Sequence, residues 1–539
     1  MPLLSYETAR PWAKAIKEKV LMREMPPWPA DPNGSLKFRN EVRLSQQDIH
    51  TLVAWVDGGA PKGTDSDLPP MPSPAQGWLH PKGIPPDSVI TLTEFKVPAQ
   101  GELPYVTYLA KVPISEDKWI AAIQVRPGNR AVVHHMAITE IALDEGLTPA
   151  DLGPLARLAR QIGSANDLIG TRHAVTAFGN PQVFDMLGVY TPGTTFEMYA
   201  DGSAKLLKGG RNFYLNFNIH YQTTGKPETD RSMIAFWFQP RPPKRQLFRV
   251  NGAGKTIIVD GKELLTDAPG QKAEGTSAAI PPIPPYADNY EVTGMTAYTQ
   301  PVTIYQLQPH AHLRGKDFKY TVVYADGREE TVLSVPKYDF RWQLAYELET
   351  PLDLPVGSKL VVTAHYDNSV NNKYNPGPEK PVFFREGQNQ SWDEMFTPFI
   401  QYGINSQDLT DSAKTANPQR WQKADTPGAV QAEELRKHDE LDIVEVGGCF
   451  EKSSPGTWIV THASDPVVSE AQATSSLALK VAEARPLGSR HYQLLGLSAF
   501  NPARYKGQRV AAKGALIKDN SGSRLNVTSL QMLSNTCVK

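Results

Sequence analysis

Proline and glycine punctuate this chain from end to end, with 46 Pro and 40 Gly among 539 residues. That punctuation limits the fold more than any other feature. Pro cannot donate a backbone N–H and Gly weakens helix and strand interiors, so the elements between them must be short. The intervening text is rich in Val, Ile, Thr and aromatic residues, as in SVITLTEFKVP from Ser88, KWIAAIQVRP from Lys118 and RAVVHHMAITEIAL from Arg130. Short runs of that composition bounded by turn residues are strands. The length exceeds what a single hydrophobic core sustains, so several domains are expected.

The expected fold class is mainly β: two tandem antiparallel β-sandwich domains, jelly-roll-like, at residues 87–248 and 249–402. A small helical segment over 1–63 precedes them, joined by a Pro-rich linker over 64–86. In that segment Trp12, Ile16 and Val20 recur four apart with Ala13 on the same face, and Pro26 and Pro27 end the pattern. Ser45 is placed to cap a second helix that carries Ile49, Leu52, Val53 and Val56 on one side. Short helices are also expected at 150–163 and 430–439, the latter within a polar linker over 403–440. Residues 441–539 read as a small C-terminal β domain, barrel-like and OB-like.

Acidic and basic residues nearly balance, giving a formal net charge of -1, and they are interspersed, so no field exists to concentrate nucleic acid. No run of apolar residues is long enough to span a membrane. The opening MPLLSYETARPW has neither the basic nor the apolar region of a signal peptide. Cys449 and Cys537 are the only cysteines. They form one bridge or stand as two separate thiols, and they exclude a Cys-rich metal site.

The chemistry-bearing residues are histidines on strand-like text. His134 and His135 sit at the centre of RAVVHHMAIT. Neighbours on a regular strand point to opposite faces, so both can serve one metal only if the strand twists or bulges or if the ligands use different ring nitrogens. His220 lies in NFYLNFNIHY, on the face with Tyr214, Asn216 and Asn218 and opposite Phe213, Leu215, Phe217 and Ile219. His310 and His312, in QPHAHLRG, have the two-residue spacing that sends both imidazoles to one strand face. Met395, in SWDEMFTPF, adds a thioether, a soft ligand that suits Cu(I) and is of little use to zinc. His365, in TAHYDNS, is a further candidate as a ligand or proton carrier, with Asp367 and Asn368 placed to orient an imidazole. The remaining histidines, His50, His80, His173, His438, His462 and His491, have no evident partners.

These motifs, in this order, resemble the catalytic core of the copper type II, ascorbate-dependent monooxygenases, the group of peptidylglycine alpha-hydroxylating and dopamine beta-monooxygenases. The resemblance runs from about Asp87 to Tyr402 and rests on HHM at His134, NIHY at His220, HAHLRGK at His310 and DEM at Met395. It implies two copper ions, one held by His134, His135 and His220 and passing electrons. The other would be held by His310, His312 and Met395, where O2 and substrate react. It implies a solvent-accessible cleft between them and hydroxylation of a C–H bond of a small organic or peptide-like substrate. Ascorbate or another donor such as a cytochrome would supply electrons. The alternative is a non-catalytic copper-binding or electron-transfer protein on the same scaffold. Unlike the animal enzymes, this core contains no cysteine, which points to a bacterial-type relative.

Residues 1–63 resemble the second half of a c-type cytochrome module, with Met25 where an axial ligand falls. The chain contains no Cys-x-x-Cys-His, so no covalent haem is expected and Met25 reads as a core residue at a helix end. The likeness implies a periplasmic or secreted protein.

Overall fold

A computed structural model describes residues 3, 5–67, 77–142, 182–193, 196–210, 212–266, 280–384, 391–411, 441–453, 456–520 and 522–537. The helices expected at 150–163 and 430–439, with His173 and His438, lie outside the described residues.

The architecture is mainly β, with several sheets and a small helical N-terminal segment. A four-stranded sheet in the order Val106–Lys111, Phe213–Tyr221, Val133–Ala142 and Gln182–Tyr190 faces strands that include Lys118–Arg126 and Met233–Gln239. Met136, Ile138, Leu215 and Phe217 from the first layer share one core with Ile120, Ile123, Ile234 and Phe236 from the second. A second core joins Val292, Tyr320, Val362 and Tyr366 of a six-stranded sheet to Ile304, Leu307, Tyr346 and Ile400. Alternation along strands such as Gly315–Val323 produces these buried faces, whereas Ser203–Leu207 and Val302–Gln308 are buried at nearly every residue.

The two layered units share a sheet. Arg245–Asn251 pairs with Phe399–Ile404 on one side and with Ser203–Leu207 on the other, so one nine-stranded sheet runs through both. The pairing with Ser203–Leu207 is parallel, against the expectation of antiparallel sandwiches, and in the C-terminal domain Arg490–Leu495 also pairs in parallel with Gly522–Ser534. A continuous sheet fixes the units relative to each other, which matters because the histidines lie where they meet.

In the N-terminal segment the helices span Tyr6–Ala9, Ala13–Leu21 and Gln46–Asp57, with a tighter turn over Arg10–Trp12. Ser45 caps the third helix as expected, its hydroxyl accepting from the Asp48 backbone N–H. Ala13, Val20 and Ile49 are buried, but Trp12 is 49% exposed and Met25 43% exposed, so neither is a core residue. The tight turn over Arg10–Trp12, with Pro11 inside it, interrupts the α-helical spacing that would have carried Trp12 inward. The segment is anchored to the second unit by edge-to-face contacts among Trp28, Phe38 and Tyr346, at centroid separations of 5.0 to 5.9 Å.

At the C-terminus the pairing path Trp458–Ala463, Arg490–Leu495, Gly522–Ser534, Arg509–Asp519, Ile443–Lys452 returns to its first strand through the pairing of Ile443–Lys452 with Trp458–Ala463. Cys449 and Cys537 are joined in a disulfide with 5.4 Å between their Cα atoms. No helix among the described residues is long and apolar enough to cross a membrane.

Candidate metal centre

The strand Val133–Ala142 pairs with Phe213–Tyr221 through Val133 opposite Tyr221 and then His135 opposite His220, so the register slips by one residue at His134. Of the ways two adjacent histidines can reach one ion, the strand takes the bulge, with His134 as the extra residue. It brings His134 Nδ1 to 3.0 Å from His135 Nδ1. The ring of His220 lies 5.1 Å from each of the other two. One nitrogen from each of His134, His135 and His220 lies within 4.8 Å of the others, the spacing of a metal-binding trio. Met136 and Ile219 turn into the sandwich core. The histidines therefore leave the sheet on its other face, toward the second unit.

Three buried imidazoles must be neutral to share an ion. Burial does this: it lowers His134 to about 4 and His220 to about 3, and holds His135 well below the ordinary histidine value. The Nδ1 of His220 is buried with no hydrogen-bond partner among the described residues. An orphaned imidazole nitrogen beside two others costs free energy unless a ligand meets it, so the trio fits a bound metal such as copper or zinc.

The second expected group has a different scaffold from the one its spacing suggested. The strand Val302–Gln308 ends before Pro309, which has no N–H to continue the ladder, and His310 and His312 lie in the extended link to Gly315–Val323. Their backbone is held by side chains instead. The buried Glu394 carboxylate accepts from the N–H groups of His312 at 2.7 Å, Arg314 at 2.6 Å and Met395 at 3.2 Å. The Tyr338 hydroxyl accepts from Ala311 N–H at 3.2 Å and donates to its carbonyl at 2.7 Å. Thr397 N–H donates to the His310 carbonyl at 3.2 Å. His312 is 1% exposed, and its Nδ1 lies 3.0 Å from the Asp393 carbonyl. That contact places the proton on Nδ1 and leaves Nε2 as the nitrogen with a free lone pair. The rings of His310 and His312 are 5.4 Å apart. Met395 is buried, and its neighbours Asp393, Glu394 and Thr397 all bond the HAH link.

The two groups abut. His135 and His310 have ring centroids 6.3 Å apart, in place of the open cleft that the resemblance implied. Tyr105 packs on both sides, 4.6 Å from His220 and 6.3 Å from His312. Phe340 does the same, 4.9 Å from His134 and 5.7 Å from His312. The Gln343 side-chain nitrogen is 3.5 Å from His135 Nδ1. Glu394, Tyr338, Phe340 and Gln343 escaped the sequence reading because none belongs to a histidine motif; only the DEM triplet hinted at Glu394.

His365 is employed elsewhere. Its Nδ1 lies 2.7 Å from an Asp317 oxygen and its Nε2 lies 3.4 Å from a Glu291 oxygen. Those carboxylates raise its pKa to about 9, which favours the protonated ring at neutral pH with both nitrogens facing carboxylate oxygens. Asp367 and Asn368 serve loop backbone, bonding Ser369 N–H and the carbonyls of Pro284 and Lys380.

Protein-family models and curated proteins offer no match to this chain.

Proposed function

We propose that this protein is a copper-dependent monooxygenase that hydroxylates a C–H bond of a small organic or peptide-like substrate with O2 and an external reductant. The observation that carries the reading is the bulged His134–His135 pair meeting His220 and lying directly against the His310–His312 link. The donor chemistry is compatible with copper: one set is all imidazole, and the other would combine the imidazoles of His310 and His312 with the Met395 thioether, a combination that serves Cu(I). Two copper ions, one per set, would supply one-electron redox chemistry and the reduction of O2. The net reaction takes the substrate C–H, O2, two electrons and two protons to an alcohol and water.

The chain's own residues supply position and environment. The Asp393 carbonyl holds the His312 tautomer, while Glu394 and Tyr338 fix the HAH backbone. Tyr105 and Phe340 wall the imidazoles from water. The C-terminal ring of strand pairings fits the small OB-like barrel, and the disulfide fits an oxidising compartment, periplasmic or extracellular.

The closeness of the two donor sets favours one second reading, an electron-transfer protein whose metals need no substrate. Copper-loaded protein with ascorbate, O2 and a panel of small substrates separates the two. Oxygen uptake matched by hydroxylated product, and lost in His312→Ala, is expected. Uptake that yields only peroxide with every substrate contradicts the monooxygenase.

A further inference from the structure

Between the N-terminal segment and the second layered unit lies a cavity of about 620 Å³, within the ~300–1,000 Å³ range of small-molecule sites. Its walls include Trp28, Tyr338, Phe340, Trp342 and Tyr374, which give part of the interior flat aromatic surface. Pro26, Pro27, Pro29 and Pro32 supply one side and fix the shape of that wall. The floor is shared with the metal centre, because Phe340 lines the cavity and also packs against His134 and His312.

Cations outnumber carboxylates around the cavity, although Lys337 pairs with Glu24 at 3.7 Å and Arg341 with Asp339. Six cationic side chains line it, among them Lys337, Arg341 and Lys373, against the four carboxylates of Glu24, Asp31, Asp339 and Asp367. Most of the carboxylates are committed. Asp339 is taken by the Arg341 fork, Glu24 by Lys19 at 2.8 Å, and Asp367 by the Ser369 N–H at 2.8 Å. Lys373 makes no salt bridge with a carboxylate among the described residues, although its charge acts on Asp339 and Glu24, and its ammonium stands 4.9 Å from the Tyr374 ring centroid. An excess of cations over carboxylates beside a partly aromatic wall matches a ligand with a flat apolar body and one negative group.

We propose that this cavity binds a small aromatic carboxylate, its ring among Trp28, Phe340 and Trp342 and its carboxylate at Lys373. Such a ligand would lie one aromatic ring from the histidines. Its use as the substrate of hydroxylation rests on the copper monooxygenase reading; its binding does not.

The test is calorimetric titration of metal-free full-length protein with 3-phenylpropanoate, 3-phenylpropanamide and 2-phenylethylammonium. The carboxylate is expected to bind at one site per chain, with the amide and the amine at least about tenfold weaker. Lys373→Gln should weaken the carboxylate about fivefold or more and leave the amide and the thermal midpoint unchanged. Phe340→Ala, which alters the floor rather than the charge, should weaken acid and amide alike. Equal binding of acid and amide, indifference to Lys373→Gln, or no saturable binding of the acid overturns the proposal. Because every arm uses metal-free protein, the outcome is independent of whether copper binds or turns over.

Discussion

Replacing Glu394 by Gln probes the device that replaces strand pairing around His312. The two carboxylate oxygens accept three backbone N–H groups, one oxygen from His312 and Met395 and the other from Arg314. An amide keeps one acceptor oxygen, and in the best orientation its NH2 faces the Arg314 N–H. One charge-assisted bond is lost, ~1.5–3 kcal/mol, and a buried N–H is left without an acceptor, ~1–3 kcal/mol. These two costs overlap, so the local loss should be about 3 kcal/mol, equivalent to roughly a hundredfold in the local opening equilibrium. Hydrogen exchange on metal-free protein reads it directly. The Arg314 amide should exchange about a hundredfold faster in Glu394→Gln, while amides of Val133–Ala142 keep wild-type protection. Protection of Arg314 within about threefold of wild type would refute the claim that this carboxylate holds the link together.

The His365 triad should show in the pH dependence of stability. Its folded pKa is raised to about 9 from an ordinary value near 6.5, so its contribution is complete below pH ~6.5 and is lost as pH rises through about 9. After discounting for the partly exposed Glu291, His365→Asn should cost ~1–2 kcal/mol at pH 6 and close to nothing at pH 10 in denaturant melts; a pH-independent difference would contradict this. Lys205 is fully buried against Asp185, which also accepts the Arg249 N–H at 3.0 Å, so Lys205→Met should cost ~3–5 kcal/mol in the same assay. The double variant with Asp185→Asn should cost less than the sum of the two single ones. The Cys449–Cys537 bridge closes a loop across a sequence separation of 88, so opening it with Cys449→Ser and Cys537→Ser should lower the stability of the C-terminal unit by up to ~4–5 kcal/mol in calorimetry.

Strands and the first histidine trio were legible because both depend on short-range pattern. Alternation in NFYLNFNIHY put His220 opposite Phe217 and Ile219, and adjacency of His134 and His135 offered a bulge among the ways to bring both to one ion, which the register shows. The link carrying His310 and His312 was misread as a strand because period-two spacing describes any extended segment. Pro309 ends the ladder, and the hydrogen bonds that take its place come from Glu394 and Tyr338, distant in sequence. His365 looked like a site residue from its neighbours in sequence, but Asp317 and Glu291, on the two strands flanking it in the sheet, decided its charge. The closeness of His135 to His310 depends on how two units pack through a shared sheet, which no local pattern encodes.

The most direct test of the central claim is the copper stoichiometry of protein reconstituted anaerobically with Cu(I), for wild type, His220→Ala and Met395→Ala. Two coppers per chain are predicted, with each substitution weakening a different one. A chain that binds no copper, or whose binding is indifferent to His220→Ala, would contradict the assignment of the histidine trio as a metal centre.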